Sequence, residues 1–212
     1  MKALIKKLLR ESLLDEAAFS SNNLPENTGL FIEPNNSGAS LTLYNPKLKT
    51  AYATITFISH ITQGPYHWVS GVAALKGFGP LIYELAFMYV DSINSKLMPS
   101  RDGDVREGAF NIWEKMFTRN DINKITLEIT DDNFRFDIIT GNEDDMTPEE
   151  KIELFNDSNK SEKNALLVFN TAYSKSPTND FKQLINIANQ YNQKIHDDAN
   201  KAGDELWQSS YE

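Results

Sequence analysis

The chain contains no cysteine, which excludes disulfides, thiolate metal sites and cysteine nucleophiles. Histidine is nearly as scarce. Only His60, His67 and His196 are present, so a three-histidine metal site would need all of them. No apolar run approaches the roughly 20 residues of a membrane span. Basic residues are in the minority, 21 Lys and Arg against 30 Asp and Glu, for a net charge of −9. That balance argues against nucleic acid and against an anionic membrane surface as partners. With 40% hydrophobic and 11% aromatic residues over 212 positions, the remaining expectation is a soluble intracellular chain with a real core.

The charge is unevenly placed. Residues 1–120 hold 12 basic and 11 acidic side chains, whereas residues 121–212 hold 9 and 19, so the whole surplus lies in the last part. The first segment, 1–19, is an amphipathic helical arm, with Leu4, Ile5, Leu8, Leu9, Leu13 and Ala17 on one face. Its basic residues precede its acidic ones, against the helix dipole, so the helix needs a docking surface. The apolar stretch is broken by charge too often for a signal peptide. A polar linker follows at 20–28.

Strands are expected at Gly29–Glu33, Ala39–Tyr44 and Thr50–Ser59, punctuated by Asn35-Asn36-Ser37-Gly38 and Asn45-Pro46. A fourth spans His67–Leu75, a helix spans Leu81–Ile93, and a short strand spans Lys96–Pro99. A second helix covers Val105–Phe117, and two alternating segments cover Lys124–Thr130 and Phe134–Thr140. Thr147-Pro148-Glu149-Glu150 starts a short helix. Asn156–Lys163 reads as a polar loop, Asn164–Asn170 as a strand and Phe181–His196 as one helix, with Leu206, Trp207 and Tyr211 as anchors in an acidic tail. The fold class is therefore α+β: a mixed, mostly antiparallel sheet flanked by helices, with an N-terminal helical arm, a core at 28–140 and an acidic extension at 141–212.

The most informative piece is the strand, glycine turn and helix at 67–93. Gly77 and Gly79 let backbone amides approach a phosphate, and the helix that follows adds unpaired N–H groups and positive dipole. The turn is neither a P-loop nor a dinucleotide fingerprint, because the Gly-Lys-Ser/Thr and the third glycine are missing. Read alone, it is better taken as an ordinary strand-to-helix turn. The acidic pairs Asp131-Asp132 and Asp144-Asp145 read as solvated turns. In Ser100-Arg101-Asp102-Gly103-Asp104, Asp104 reads as a helix cap. No metal site is expected.

The order of elements, and the window Ala74-Leu75-Lys76-Gly77-Phe78-Gly79 followed by Ala109, Trp113, Lys115 and Phe117, resembles the GNAT acyltransferase superfamily. The resemblance covers about residues 28–140. Ala74 replaces the family's Gln or Arg, Arg106 its Asn, and Trp113 its Tyr. The Pro-Ser-Arg-Asp-Gly loop before a tryptophan-bearing helix is similar to phage-encoded members of that group. The resemblance implies an acyl-CoA-dependent N-acyltransferase that moves acetyl from acetyl-CoA to an amine-bearing small molecule or protein. Leu75, Lys76, Gly77, Phe78 and Gly79 would cradle the pyrophosphate. Val72 and its strand would pair with the pantetheine arm, and a strand N–H would polarise the thioester carbonyl. Trp113 cannot supply the family's acid, which leaves Tyr83, Tyr66 or solvent. His60 is the preferred base among Glu33, His60, His67, Glu84 and Asp102, with Glu84 expected on an exposed helix face.

The departures at Trp113 and Ala74 also open the alternative of a non-catalytic interaction or virion-associated protein. Leu9-Arg10-Glu11 and Leu14-Asp15-Glu16 resemble prohead protease sites, so the arm would be a packaging signal removed after assembly. A third option is that the arm docks on the domain or forms a homodimer. The expected location is the host cytoplasm, or a virion in the packaged version.

Overall fold

The computed structural model describes residues 24–59, 66–100, 107–131, 133–137 and 146–210. The expected N-terminal arm, His60, Asp102, Asp104, Asp132, the Asp144-Asp145 pair and Tyr211 lie outside the described residues. The chain is α+β, with a seven-stranded, mostly antiparallel open sheet and, among the described residues, six helices.

Strands β1 (Gly29–Asn35), β2 (Gly38–Asn45), β3 (Thr50–Ser59) and β4 (Tyr66–Ala74) form an antiparallel meander. Asparagines make its turns. Asn35 Oδ1 accepts from the Ser37 amide, and Asn45 Oδ1 accepts from the amides of Lys47 and Leu48. Period-two alternation divides the side chains between two faces. Leu30, Leu41, Leu43, Ala53, Ile55 and Phe57 enter the main core. The other face carries Phe31 and a patch of hydroxyls, where Ser40 meets Thr56 and Thr42 meets Thr54 across β2 and β3.

Helix α1 (Gly79–Ser92) connects β4 to β5 (Lys96–Met98), which pairs parallel to β4. The helix is buried nearly all round, from Ile82 to Met88 and at Val90, because it lies between the sheet and α2 (Glu107–Thr118). A Schellman motif ends it. Asn94 takes a φ of 55°, its amide bonds Asp91 O at 3.0 Å and the Ser95 amide bonds Val90 O at 2.8 Å.

The remaining elements are β6 (Asn123–Thr126), α3 (Pro148–Asp157), α4 (Lys160–Phe169), β7 (Thr171–Ser174), α5 (Asn179–Ala188) and α6 (Gln193–Ser209). The strand order is β1-β2-β3-β4-β5-β7-β6, so β7 sits between β5 and β6 and is antiparallel to both. Helix α5 covers the β1 edge: Phe181 and Leu184 join the main core, and the backbone of Ala188 lies against Gly29. Helix α6 crosses the second face.

Four local expectations are corrected. Asn164–Asn170 is not a strand. It belongs to α4, which a capping box of Asn159 and Glu162 starts, and the strand follows at Thr171. The supposed polar loop at 156–163 is the end of α3 and the start of α4. Phe134 and Phe136 form no strand; they pack irregularly on Leu166. The single helix at 181–196 is two, because Asn192 caps a new one through the Ile195 amide.

Candidate active site

Strand β5 pairs with β4 over its whole length, through Tyr66–Lys96, His67–Leu97 and Trp68–Met98, while β4 runs on to Ala74. Two features mark the end of this ladder. Met98 is followed by Pro99, which has no N–H to continue the ladder. On β4, Thr56 opposes Gly71 while Phe57 opposes Val69, so Ser70 is an extra, bulged residue. Its hydroxyl donates back to Thr56 O at 3.2 Å. A bulge bends its strand and increases its twist. Beyond Trp68, β4 has no partner on the β5 side among the described residues.

Strand β4 leads straight into the glycine turn. The Leu75 amide still bonds Tyr52 O at 2.8 Å, and the Phe78 amide closes the turn on Leu75 O at 3.0 Å. Gly77 takes a φ of 93°, which disfavours any side chain there. Phe78 stacks on Tyr52 with ring centroids 4.9 Å apart, which anchors the turn to β3. A Cβ at Gly79 would come within 3.3 Å of Ile112 on α2, so this glycine also serves close helix packing. Lys76 and Gly77 are exposed, and Leu75 is 41% exposed.

The N-cap of α1 is Phe78, with no side-chain hydrogen bond, no acid in the first turn and a proline there. Helices α3 to α6 are capped instead by Thr147, Asn159, Thr178 and Asn192. The leading end of α1 therefore presents polarised amides that no side chain of its own cap satisfies. Of the residues expected around a cofactor, Leu75 to Gly79 are contiguous at this turn. Val72 is half-buried on the α1 face of β4, paired with Ile55.

The expected catalytic residues fare differently. Tyr83 is 1% exposed, and its ring packs edge-on against Trp113 with centroids 5.1 Å apart. Burial pushes its hydroxyl well above the ordinary range, the contact with Trp113 opposing this. Trp113 itself is a core residue among Tyr83, Phe87 and Tyr173. Trp113 thus points into the core. Glu33 is exposed on the outer half of β1.

Glu84 corrects the expectation of an exposed face. It is 4% exposed and receives Lys175 Nζ and Arg119 Nη1, the latter at 2.7 Å. Asp121 completes the cluster, 2.6 Å from Arg119 and 2.7 Å from Lys175. Arg119 holds the Asp121 carboxyl well below the usual carboxylate range, with Lys175 adding to the effect. Two acids and two bases cancel, and the cluster ties α1 to the ends of α2 and β7.

His67 lies one pair before the end of the β4–β5 ladder. Its Nδ1 is 2.7 Å from Ser95 Oγ and its ring stands edge-on to Phe57. Burial lowers its pKa, so the imidazole is neutral at pH 7. The sequence offered His67 only as one base among several; its position near the end of the ladder depends on the β4–β5 register.

Among the described residues no group of three or more His, Asp or Glu could hold a metal, and no helix is long and apolar enough to cross a membrane. Fold and site together define an α+β protein in which β4 outruns its short parallel partner β5 and leads through a glycine turn into a helix with no side-chain cap. Neither a protein-family model, a curated protein nor a solved structure matches this chain.

Proposed function

We propose that the protein binds acetyl-CoA and transfers its acetyl group to an amine, as a divergent GNAT-like acyltransferase. The observation that carries the reading is that β4 outruns its short parallel partner β5 after Trp68–Met98 and leads into the Gly77 turn and the uncapped start of α1. The turn amides and Lys76 would take the pyrophosphate. The edge of β4 beyond Trp68, unpaired on the β5 side among the described residues, would offer backbone groups to the pantetheine arm, and an N–H near the bulge would polarise the thioester carbonyl. The amine nitrogen forms a bond to that carbonyl carbon as the carbon–sulfur bond breaks. The sulfur leaves as thiolate and takes up a proton, and the amine gives one up.

Isothermal titration with acetyl-CoA and free CoA tests the reading. Saturable binding is expected; no heat with ligand up to about 1 mM, which corresponds to roughly −4 kcal/mol, would refute it. Gly77→Glu should abolish binding by adding a negative charge at the pyrophosphate. Gly77→Asn, which tolerates positive φ, should retain most of it.

A second reading, a non-catalytic interaction or virion-associated protein that keeps the fold, is favoured by the burial of both Trp113 and Tyr83. It predicts CoA binding without thiol release when a panel of amines is supplied.

A further inference from the structure

Helices α5 and α6 meet at a break that no helix-breaking residue enforces. From Asn179 to Ser209 there is no proline, and the single glycine, Gly203, lies well inside α6. Asn189 keeps helical angles, φ −67° and ψ −12°, and the amides of Gln190 and Tyr191 bond back to Ile187 O and Ala188 O. Asn192 is extended, at φ −78° and ψ 170°. Two local bonds hold the break. Asn192 Oδ1 accepts from the Ile195 amide at 3.3 Å, and His196 Nε2 lies 3.2 Å from Ala188 O across it. The apolar spacing runs straight through, since Ala188, Tyr191, Ile195 and Ala199 share one cluster. A single helix from Asn179 to Ser209 is therefore a second conformation open to this stretch. It loses the cap and gains the interrupted i→i−4 bonds.

Folded back, α6 rests on the second face of the sheet through small residues. Ala199 and Gly203 are its buried positions. Ala199 joins the cluster of Phe31 and Tyr44 on β1 and β2. A Cβ at Gly203 would come within 2.8 Å of Thr42 Oγ1 and 3.2 Å of Thr54 Oγ1. Trp207, half-buried, reaches β4 at Gly71, where a Cβ would lie less than 3.0 Å from Cη2 and Cζ3 of the indole. Little apolar surface thus holds the helix down. Thr42 and Thr54 bond each other at 3.2 Å, so lifting α6 strands neither hydroxyl. It would bare an apolar stripe on the helix and the ring of Phe31 on the sheet. The two glycine seats fit this helix to this sheet, and a second copy of the chain supplies both halves.

We infer that the hinge at Asn189–Asn192 opens into continuous helix and that two chains exchange their α6 helices, forming a reciprocal two-fold dimer. Each α6 then makes on its partner's sheet the contacts it makes on its own in the monomer, and only the hinge differs. The inference is independent of the acetyl-CoA reading.

The experiment refolds the full chain from urea at low and at high concentration. Size-exclusion chromatography with light scattering weighs the products, and far-UV circular dichroism checks each fold. Wild type should give a dimer fraction that rises with the concentration at refolding. Asn192→Ala removes the cap and favours continuous helix. Loss of a cap shifts each hinge about fivefold, so the dimerisation constant should rise roughly twenty-five-fold. Gln193→Pro should give monomer alone. Proline suits the first position of α6, behind an Asn192 that is already extended, and it cannot lie inside a continuous helix. Asn192→Gly still caps but is poor inside a helix, so it should dimerise at least roughly tenfold less than Asn192→Ala, which keeps the test standing if Gln193→Pro does not fold. Monomer alone from both wild type and Asn192→Ala overturns the inference. So does a dimer that Gln193→Pro or Asn192→Gly leaves at the Asn192→Ala level.

Discussion

Gly71→Ala, alone and in the Trp207→Ala background, isolates the contact between α6 and β4. Alone, the new methyl meets two indole carbons at less than 3.0 Å, a separation that real Cβ atoms essentially never show. Either the indole leaves the strand or β4 shifts. Overpacking of this kind costs about 1–3 kcal/mol. Trp207→Ala alone strips a half-buried ring from its seat, at about 2 kcal/mol, below the range for fully buried tryptophan. In the double variant the methyl meets no indole. Gly71→Ala should then be neutral or stabilising by about 0.5 kcal/mol, because alanine loses less backbone entropy than glycine in a strand. The coupling is therefore about 2 kcal/mol, well above the additivity error of roughly 0.5 kcal/mol. Urea unfolding followed by far-UV circular dichroism measures it without relying on the fluorescence of the residue removed. Equal costs of Gly71→Ala in both backgrounds would refute the packing of Trp207 on β4. Gly203→Ala is the internal control, since its methyl meets Thr42 and Thr54, and Trp207→Ala should not relieve its cost.

Glu84→Ala should destabilise the chain by about 3 kcal/mol in urea unfolding, because Lys175 and Arg119 keep only Asp121 between them; a loss below about 1 kcal/mol would contradict the buried pairing. Burial of His67 makes stability pH-dependent in a known direction. The unfolded chain binds a proton near pH 6.5 that the folded chain takes up only lower, so stability should fall as pH drops below about 6.5 and level off below the folded value. His67→Gln should flatten that slope in stability measured from pH 7 to 5. Thr147→Ala removes one arm of the capping box that starts α3 and should cost about 1 kcal/mol or less, with no change in ligand binding.

The sequence made the meander and the β4–turn–α1 unit legible, because alternation, asparagine turns and the Gly77/Pro80 punctuation all agreed there. Apolar runs failed where helix and strand look alike. Ala165 to Phe169 is a short apolar run that fits either, and the deciding cap at Asn159 lies outside it. Helical periodicity ran unbroken from Phe181 to Ile195 because Tyr191 and Ile195 pack into the same satellite cluster as Ala188, which hid the break. Glu84 looked solvent-facing because its partners Arg119 and Lys175 arrive from distant segments. The bulge at Ser70 and the seat of Trp207 on Gly71 were illegible for the same reason. Each depends on pairing between distant segments, and the only local hint was a glycine inside a strand.

The place of β7 between β5 and β6 sets the order in which the molecule can be assembled on the ribosome. β6 ends at Thr126, and its only strand partner among the described residues, β7, is complete at Ser174. At roughly 5–20 residues per second, translation leaves β6 waiting on the order of 2–10 s, while the meander and α1 have already been synthesised. The edge of β5 stays open over the same interval. The acidic stretch made in between disfavours contact between nascent chains with unfilled sheets, through charge repulsion.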